Sequence, residues 1–131
     1  MIKTNQNNQI KKTKFDLEER TENFFLRVIR LCQKIPVNPI TKRPIEQAVG
    51  SAGSLGANYR EATEAESKKD FLHKIKIARK EAKESKLWLR GLQVATTSSD
   101  PEFESLIQEA QELVFIFSSI INKTKEQKNS F

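Results

Sequence analysis

The stretch Ser67 to Leu92, SKKDFLHKIKIARKEAKESKLWLRGL, constrains the fold more than any other part of the chain, because winding it at about 100° per residue separates it into three stripes. Phe71, Ile75, Ala78, Ala82, Ser85 and Leu89 share one stripe, the spacing of a helix face that packs into a core. Lys68, Lys69, Lys76, Arg79, Lys80, Lys83, Lys86 and Arg90 make a second, interrupted only by Leu72 and Leu87, and this arc must meet water or an anion. Asp70, Lys74, Ile77, Glu81, Glu84 and Trp88 make the third, where opposite charges at helical spacing flank an indole. A solvated face has little need of a tryptophan, so the third stripe points to a partner.

A chain of 131 residues that holds such a helix has room for one domain with its own core, without disulfide or metal staples. Four Gly and four Pro leave little material for loops, and 37% hydrophobic with 31% charged residues favours long amphipathic helices over sheets. Cys32 has no second cysteine to pair with and lies on an apolar stripe, which fits a reducing compartment and makes the cytoplasm the expected location. No apolar run reaches the ~20 residues of a membrane span, and the first fourteen residues lack a signal-peptide core, so no membrane association is expected.

Charge is segregated along the chain. Residues 67–92 carry nine Lys and Arg against three Asp and Glu, a balance of +6 that equals the net charge of the whole protein. Residues 100–121 carry five acids and no base. One side is therefore expected to be basic and another acidic. A basic helical face attracts polyphosphate, although a lysine-rich solvated surface has the same composition.

Taken in order, residues 1–14 show no periodicity and read as a disordered basic arm, with Lys3, Lys11, Lys12 and Lys14 as its cations. A four-helix bundle is expected over 15–122 and a frayed tail over 123–131. Helix one spans about 16–34, with Leu17, Phe24, Val28, Leu31, Cys32 and Ile35 at helical spacing and Asp16, Glu18 and Glu19 near its start. Pro36, Pro39 and Pro44 stiffen the connection to helix two at about 41–64. There Ile45, Ala48, Val49, Ala52, Leu55, Gly56 and Tyr59 form the core stripe, opposite a small polar surface of Gln47, Gly50, Ser51, Ser54, Ala57, Asn58 and Glu61. Interior glycines cost about 1 kcal/mol each relative to Ala, so a close-approaching backbone is expected to compensate. Ser67 with Asp70 resembles a capping box for helix three. Asp100, Pro101 and Glu102 mark the start of helix four, whose core stripe is Phe103, Leu106, Ile107, Ala110, Leu113, Val114, Phe117 and Ile121, while Phe115 and Ile116 point elsewhere. Four helices on short links, each with one main apolar stripe, give an all-α antiparallel up-down four-helix bundle.

The strings LRVIRLCQKIP and GSAGSLGANYREATEAESKKDFLHKIKIARKEAKESKLWLR closely resemble the four-helix bundle family of 23S rRNA intervening sequence proteins. The resemblance covers roughly Phe24 to Arg90, and its most specific patterns stand here as Ser54, Ala57, Asn58, Glu61 and Ala62, and as Lys80, Glu81, Ala82, Glu84, Trp88 and Leu89. Gly50 and Gly53 occupy positions where the family pattern often has larger residues. The resemblance implies ring-like homopentamers with a basic surface. It extends to proteins encoded in insertions of bacterial 23S rRNA genes and to the accessory variability proteins of diversity-generating retroelements, which work with RNA and a reverse transcriptase. It brings no catalytic residues.

The residues themselves argue against catalysis. A di-metal bundle enzyme needs paired Glu-x-x-His motifs, and His73 is the one histidine, placed between the basic and mixed stripes as a surface residue would be. Cys32 lacks a neighbouring base in sequence, no Gly-rich phosphate loop occurs, and neither metal nor cofactor is expected. Two readings remain. In one, an oligomer binds nucleic acid, RNA first, through Lys69, Lys76, Arg79, Lys80, Lys83, Lys86 and Arg90. Such binding is largely nonspecific, because phosphate contacts do not read bases and no exposed aromatic array for stacking is evident. In the other, the basic face docks an acidic protein, by family analogy a reverse transcriptase. In both, Ser54, Asn58, Glu61, Lys74, Ile77, Glu81, Glu84 and Trp88 are the expected contact between copies, since aromatics favour interface centres and charges there need partners.

Overall fold

Local chemistry at the helix starts matches what the sequence announces. Ser67 Oγ accepts the N–H of Asp70 at 3.0 Å, and Asp100 Oδ1 accepts the N–H of Glu102 at 2.9 Å with Pro101 as the first helical residue. Between the first two helices, Asn38 Oδ1 accepts the N–H groups of Ile40 and Thr41, and buried Thr41 donates to Pro36 O at 2.6 Å. The structure, a computed structural model, describes the backbone of residues 2–127 and the side chains of residues 17–127. Its elements are α1 (Ile2–Gln33), α2 (Lys42–Thr63), α3 (Lys68–Thr96) and α4 (Pro101–Glu126).

Each helix packs on two others, in the cyclic order α1, α2, α3, α4, so α1 and α3 lie at opposite corners. Pairs across every seam run in opposite senses: Gly53 with Phe25 and Gly56 with Thr21 for α1–α2, Arg20 with Glu109 and Arg27 with Glu102 for α1–α4, Ser51 with Ser85 and Glu61 with Lys74 for α2–α3, Arg79 with Ser118 and Lys86 with Gln111 for α3–α4. The bundle is up-down and antiparallel, as expected. Phe24, Phe103, Phe117, Leu31, Leu55, Ile75, Leu89, Leu92, Leu106, Leu113 and Ile121 fill its centre, all from the four predicted stripes except Leu92.

Several boundaries differ from the sequence reading. The helix α1 begins at Ile2, ahead of the expected start near residue 16; the side chains of residues 1–16, and with them the expected basic arm, lie outside the described residues. The helix α3 runs one turn beyond Leu92, because Leu92 is fully buried and Thr96 Oγ1 bonds back to its carbonyl at 2.8 Å, and it stops at Thr97 in the left-handed region (φ 48°). The helix α4 continues to Glu126, anchored by buried Thr124 and by Lys68 Nζ donating to the carbonyl of Gln127; residues 128–131 lie outside the described residues. Ser51, assigned by its periodicity to a polar surface, is instead buried against Ser85, their hydroxyls 2.8 Å apart.

The acids of residues 100–121 do not make a free acidic side. Arg20 Nε and Nη2 donate to both oxygens of Glu109 at 2.7 and 2.9 Å, and Nη2 also reaches Glu112 at 3.2 Å. Arg27 grips Glu102 through two bonds of 2.9 Å and donates to Ser105 Oγ, while Lys34 meets Asp100 at 3.4 Å. The Glu102 backbone N–H, then Lys34, hold the Asp100 carboxyl below the usual range; Arg27 does the same for Glu102. The unfolded chain takes up these protons near pH 4. Above that pH both groups therefore favour the folded state, and the advantage is lost as pH falls through their lower folded values.

Replacing Arg27 with Met is expected to cost about 1 kcal/mol at pH 6. It should also shrink the drop in urea midpoint between pH 5 and pH 3, which equilibrium denaturation of parent and variant at both pH values will measure.

The glycines of α2 are not equivalent. A Cβ at Gly53 would stand 3.0 Å from Phe25 Cε1 and one at Gly56 3.8 Å from Thr21 O, whereas Gly50 has nothing within 4 Å. The close approach expected to compensate for the glycines is thus made by α1 of the same chain. Gly50→Ala should raise stability by about 1 kcal/mol, while Gly53→Ala should gain less because the Phe25 ring must shift. Thermal melts of the two variants test the contrast.

Candidate nucleic-acid interface

The outward arc of α3 follows from what its inward arc buries. Ile75, Ala78, Ala82, Ser85, Leu89 and Leu92 are sunk between α2 and α4. That orientation turns Lys69, Lys76, Lys80, Lys83 and Arg90 fully outward along about 30 Å of helix, at 1.5 Å per residue. Arg79 and Lys86 stand on the α4 side of the arc and are half-buried: Arg79 Nη1 donates to Ser118 Oγ at 3.2 Å and Lys86 Nζ to Gln111 Oε1 at 2.6 Å. Both partners are neutral, so the two cations keep their charge while being held in place.

None of these seven cations joins an ion pair among the described residues; the pairs there belong to Arg20, Arg27, Lys34, Arg60 and Lys74. A shallow groove on the same arc is lined by Lys83, Lys86, Leu87, Arg90, Gly91 and Val94, with Leu87 62% and Val94 78% exposed. The C-terminal half of the arc therefore mixes charge with apolar surface. His73 is exposed at its edge, as expected.

The structure brings together five of the eight residues expected at a contact between copies, through hydrogen bonds within one chain. Asn58 Nδ2 donates to Ser54 O and Oγ at 2.9 and 3.1 Å, Ser54 Oγ donates to Glu81 Oε2 at 3.1 Å, and Lys74 Nζ donates to Glu61 Oε1 at 2.7 Å. The bond to Glu61 holds the Lys74 ammonium above the usual lysine range. Ile77, Glu84 and Trp88 complete the stripe as half-buried residues, and the Trp88 Nε1–H is buried without an acceptor among the described residues.

Cys32 is buried, and burial pushes its thiol up to about 11, leaving little thiolate at neutral pH. Among the described residues no three of His, Cys, Asp and Glu gather as a metal site would require, and no helix is long and apolar enough to cross a membrane. Sequence reasoning missed the tethering of Arg79 and Lys86 to α4, whereas Phe115 points away from the core as expected and is 64% exposed on α4. The signal for Phe115 was present: it falls outside the core stripe of α4, on the side that carries Gln111 and Ser118.

The bundle with this basic arc has relatives. A crystal structure of a protein of unknown function from the S23 ribosomal protein family of Bacteroides thetaiotaomicron is 32% identical, with a TM-score of 0.68 over 79% of this chain and 96% of that one. No curated protein matches. The family model described as 23S rRNA-intervening sequence protein matches residues 13–119, which takes in most of α1, all of α2 and α3, and α4 as far as Ser119. On the strength of that match, the chain belongs to the 23S rRNA-intervening sequence protein family.

Proposed function

We propose that this protein is a non-catalytic, oligomeric, cytoplasmic nucleic-acid-binding protein whose target is RNA, held at the basic arc of α3. The observation that carries the reading is the absence of any acid partner for Lys69, Lys76, Arg79, Lys80, Lys83, Lys86 and Arg90 among the described residues, in a molecule that pairs Arg20, Arg27 and Arg60 with acids elsewhere. Cations left unpaired keep their counterions, and releasing those counterions to a polyphosphate drives binding. The low reactivity of the Cys32 thiol supports a role without nucleophilic chemistry, and one buried, unpaired cysteine fits the cytoplasm.

Family resemblance favours a homopentamer, with the stripe of Ile77, Glu84 and Trp88 and the adjoining Ser54, Asn58, Glu61, Lys74 and Glu81 as the contact. Repetition of the arc on each copy would let modest contacts add along one strand. A second reading, a scaffold that docks an acidic partner such as a reverse transcriptase, is favoured by Leu87 and Val94, whose apolar surface among the cations suits a protein better than a phosphate backbone.

Replacing Lys76, Lys80 and Lys83 with Gln removes three outward charges and keeps helix propensity. The variant should keep the parent's circular dichroism and its size by light scattering. For single-stranded RNA, the slope of log affinity against log salt should fall by about 0.7 for each phosphate that no longer meets a cation. An unchanged slope with unchanged affinity would rule out this arc. A parent that is monomeric at micromolar concentration would rule out the oligomer.

A further inference from the structure

Among the described residues Phe115 is the one exposed Phe, Tyr or Trp ring; Phe24, Phe103, Phe117 and Tyr59 are buried, and Phe25, Phe71 and Trp88 half-buried. Its neighbours on the α4 surface are Gln111, four residues before, and Ser118, three after. Those are the two side chains to which α3 sends cations: Lys86 Nζ reaches Gln111 Oε1 at 2.6 Å and Arg79 Nη1 reaches Ser118 Oγ at 3.2 Å. The ring is therefore bracketed along the bundle axis by two anchored positive charges seven residues, or about 10 Å, apart on α3. Lys83 lies between them in sequence and is free to solvent. An exposed phenylalanine gains nothing from water. An anchored guanidinium and ammonium on either side of a bare ring suit a ligand that alternates phosphates with flat rings.

We infer that Phe115 is a stacking platform for one base of a single-stranded nucleic acid, with Arg79 and Lys86 on the flanking phosphates and Lys83 alongside. This rests on the proposed nucleic-acid binding and narrows it. A duplex keeps its bases stacked on one another and cannot offer a face to the ring, so the subsite selects single strands or unpaired loops. It does not read sequence, because every base has a face to stack. The charge of the site comes from α3 and the ring from α4, so the subsite exists only where these two helices are packed in register.

The test compares a uridine 15-mer with an abasic phosphodiester of the same length, measured by fluorescence anisotropy against the full chain. The parent should bind the uridine oligomer roughly tenfold or more tightly than the abasic one. Phe115→Ala should bind both alike, at the parent's abasic affinity and with an unchanged salt slope, because every cation that meets a phosphate is still in place. Phe115→Tyr, which keeps the ring, should retain the preference. If Phe115→Ala discriminates the two oligomers as the parent does, the inference fails while nucleic-acid binding stands. If the parent binds neither oligomer, the binding reading fails and the inference with it. If Phe115→Ala alters the size of the assembly by light scattering, the ring is a contact between copies, and stacking is overturned.

Discussion

The contact on which the rest of the molecule depends is the small-residue packing of α2 on α3. Ala48, Ser51 and Ala52 of α2 and Ala78, Ala82 and Ser85 of α3 are all buried, and the two helices form the most extensive of the four helix contacts. Side chains this short let the helices lie close together. They also leave little freedom for α3 to turn about its axis, since a rotation of one residue, about 100°, would drive Arg79 or Lys86 into the space that now fits a methyl group. The Ser51 and Ser85 hydroxyls, paired at 2.8 Å in that contact, add a polar constraint, because a slip in register would leave both buried and unsatisfied. The outward arc of α3 is basic because its inward arc, filled by small and apolar side chains, has no room for a lysine or arginine.

Electrostatics follows from the same geometry. With α1 and α3 at opposite corners, the arginines of α1 face α4 from the side away from the basic arc. They take up Glu102, Glu109 and Glu112, and Lys34 takes Asp100. Glu104 is held by Gln93 at 3.3 Å. Half-exposed pairs of this kind add little stability each, and their larger effect is on the field: carboxylates that would otherwise have neutralised α3 are engaged elsewhere. Glu81, on α3 itself, is turned towards Ser54 of α2. A chain whose acids and bases balance outside residues 67–92 thereby acquires one strongly positive face.

The sequence makes the fold legible because each helix carries one apolar stripe at the helical period, and the starts of α3 and α4 are marked by caps at Ser67 and Asp100. It makes the composition of the basic arc legible for the same reason. Periodicity says which residues share a face but not what lies opposite. Ser51 reads as polar surface until Ser85 is placed across from it, and the glycines of α2 read as a costly irregularity until Phe25 is found over Gly53. The ends of helices are poorly legible where stability comes from tertiary contact rather than propensity. Leu92 and Thr124 are buried by neighbours that no local pattern reveals, and α3 and α4 run on accordingly.

The partition of the cations follows from this packing. Lysines at i, i+4 and i+7 on a free helix would swing independently, and each would give up side-chain entropy on binding a phosphate. The α4 partners of Arg79 and Lys86 divide the seven cations into two hydrogen-bonded to a neighbouring helix and five exposed to solvent. The fixed pair has already lost part of its rotamer freedom on folding, so less remains to be lost when a ligand arrives. Long-range attraction of a polyanion would need charge but no geometry, and the five exposed cations meet that requirement. Anchoring to neutral groups is what makes the division possible, since a carboxylate at position 111 or 118 would fix the same side chains and cancel their charge.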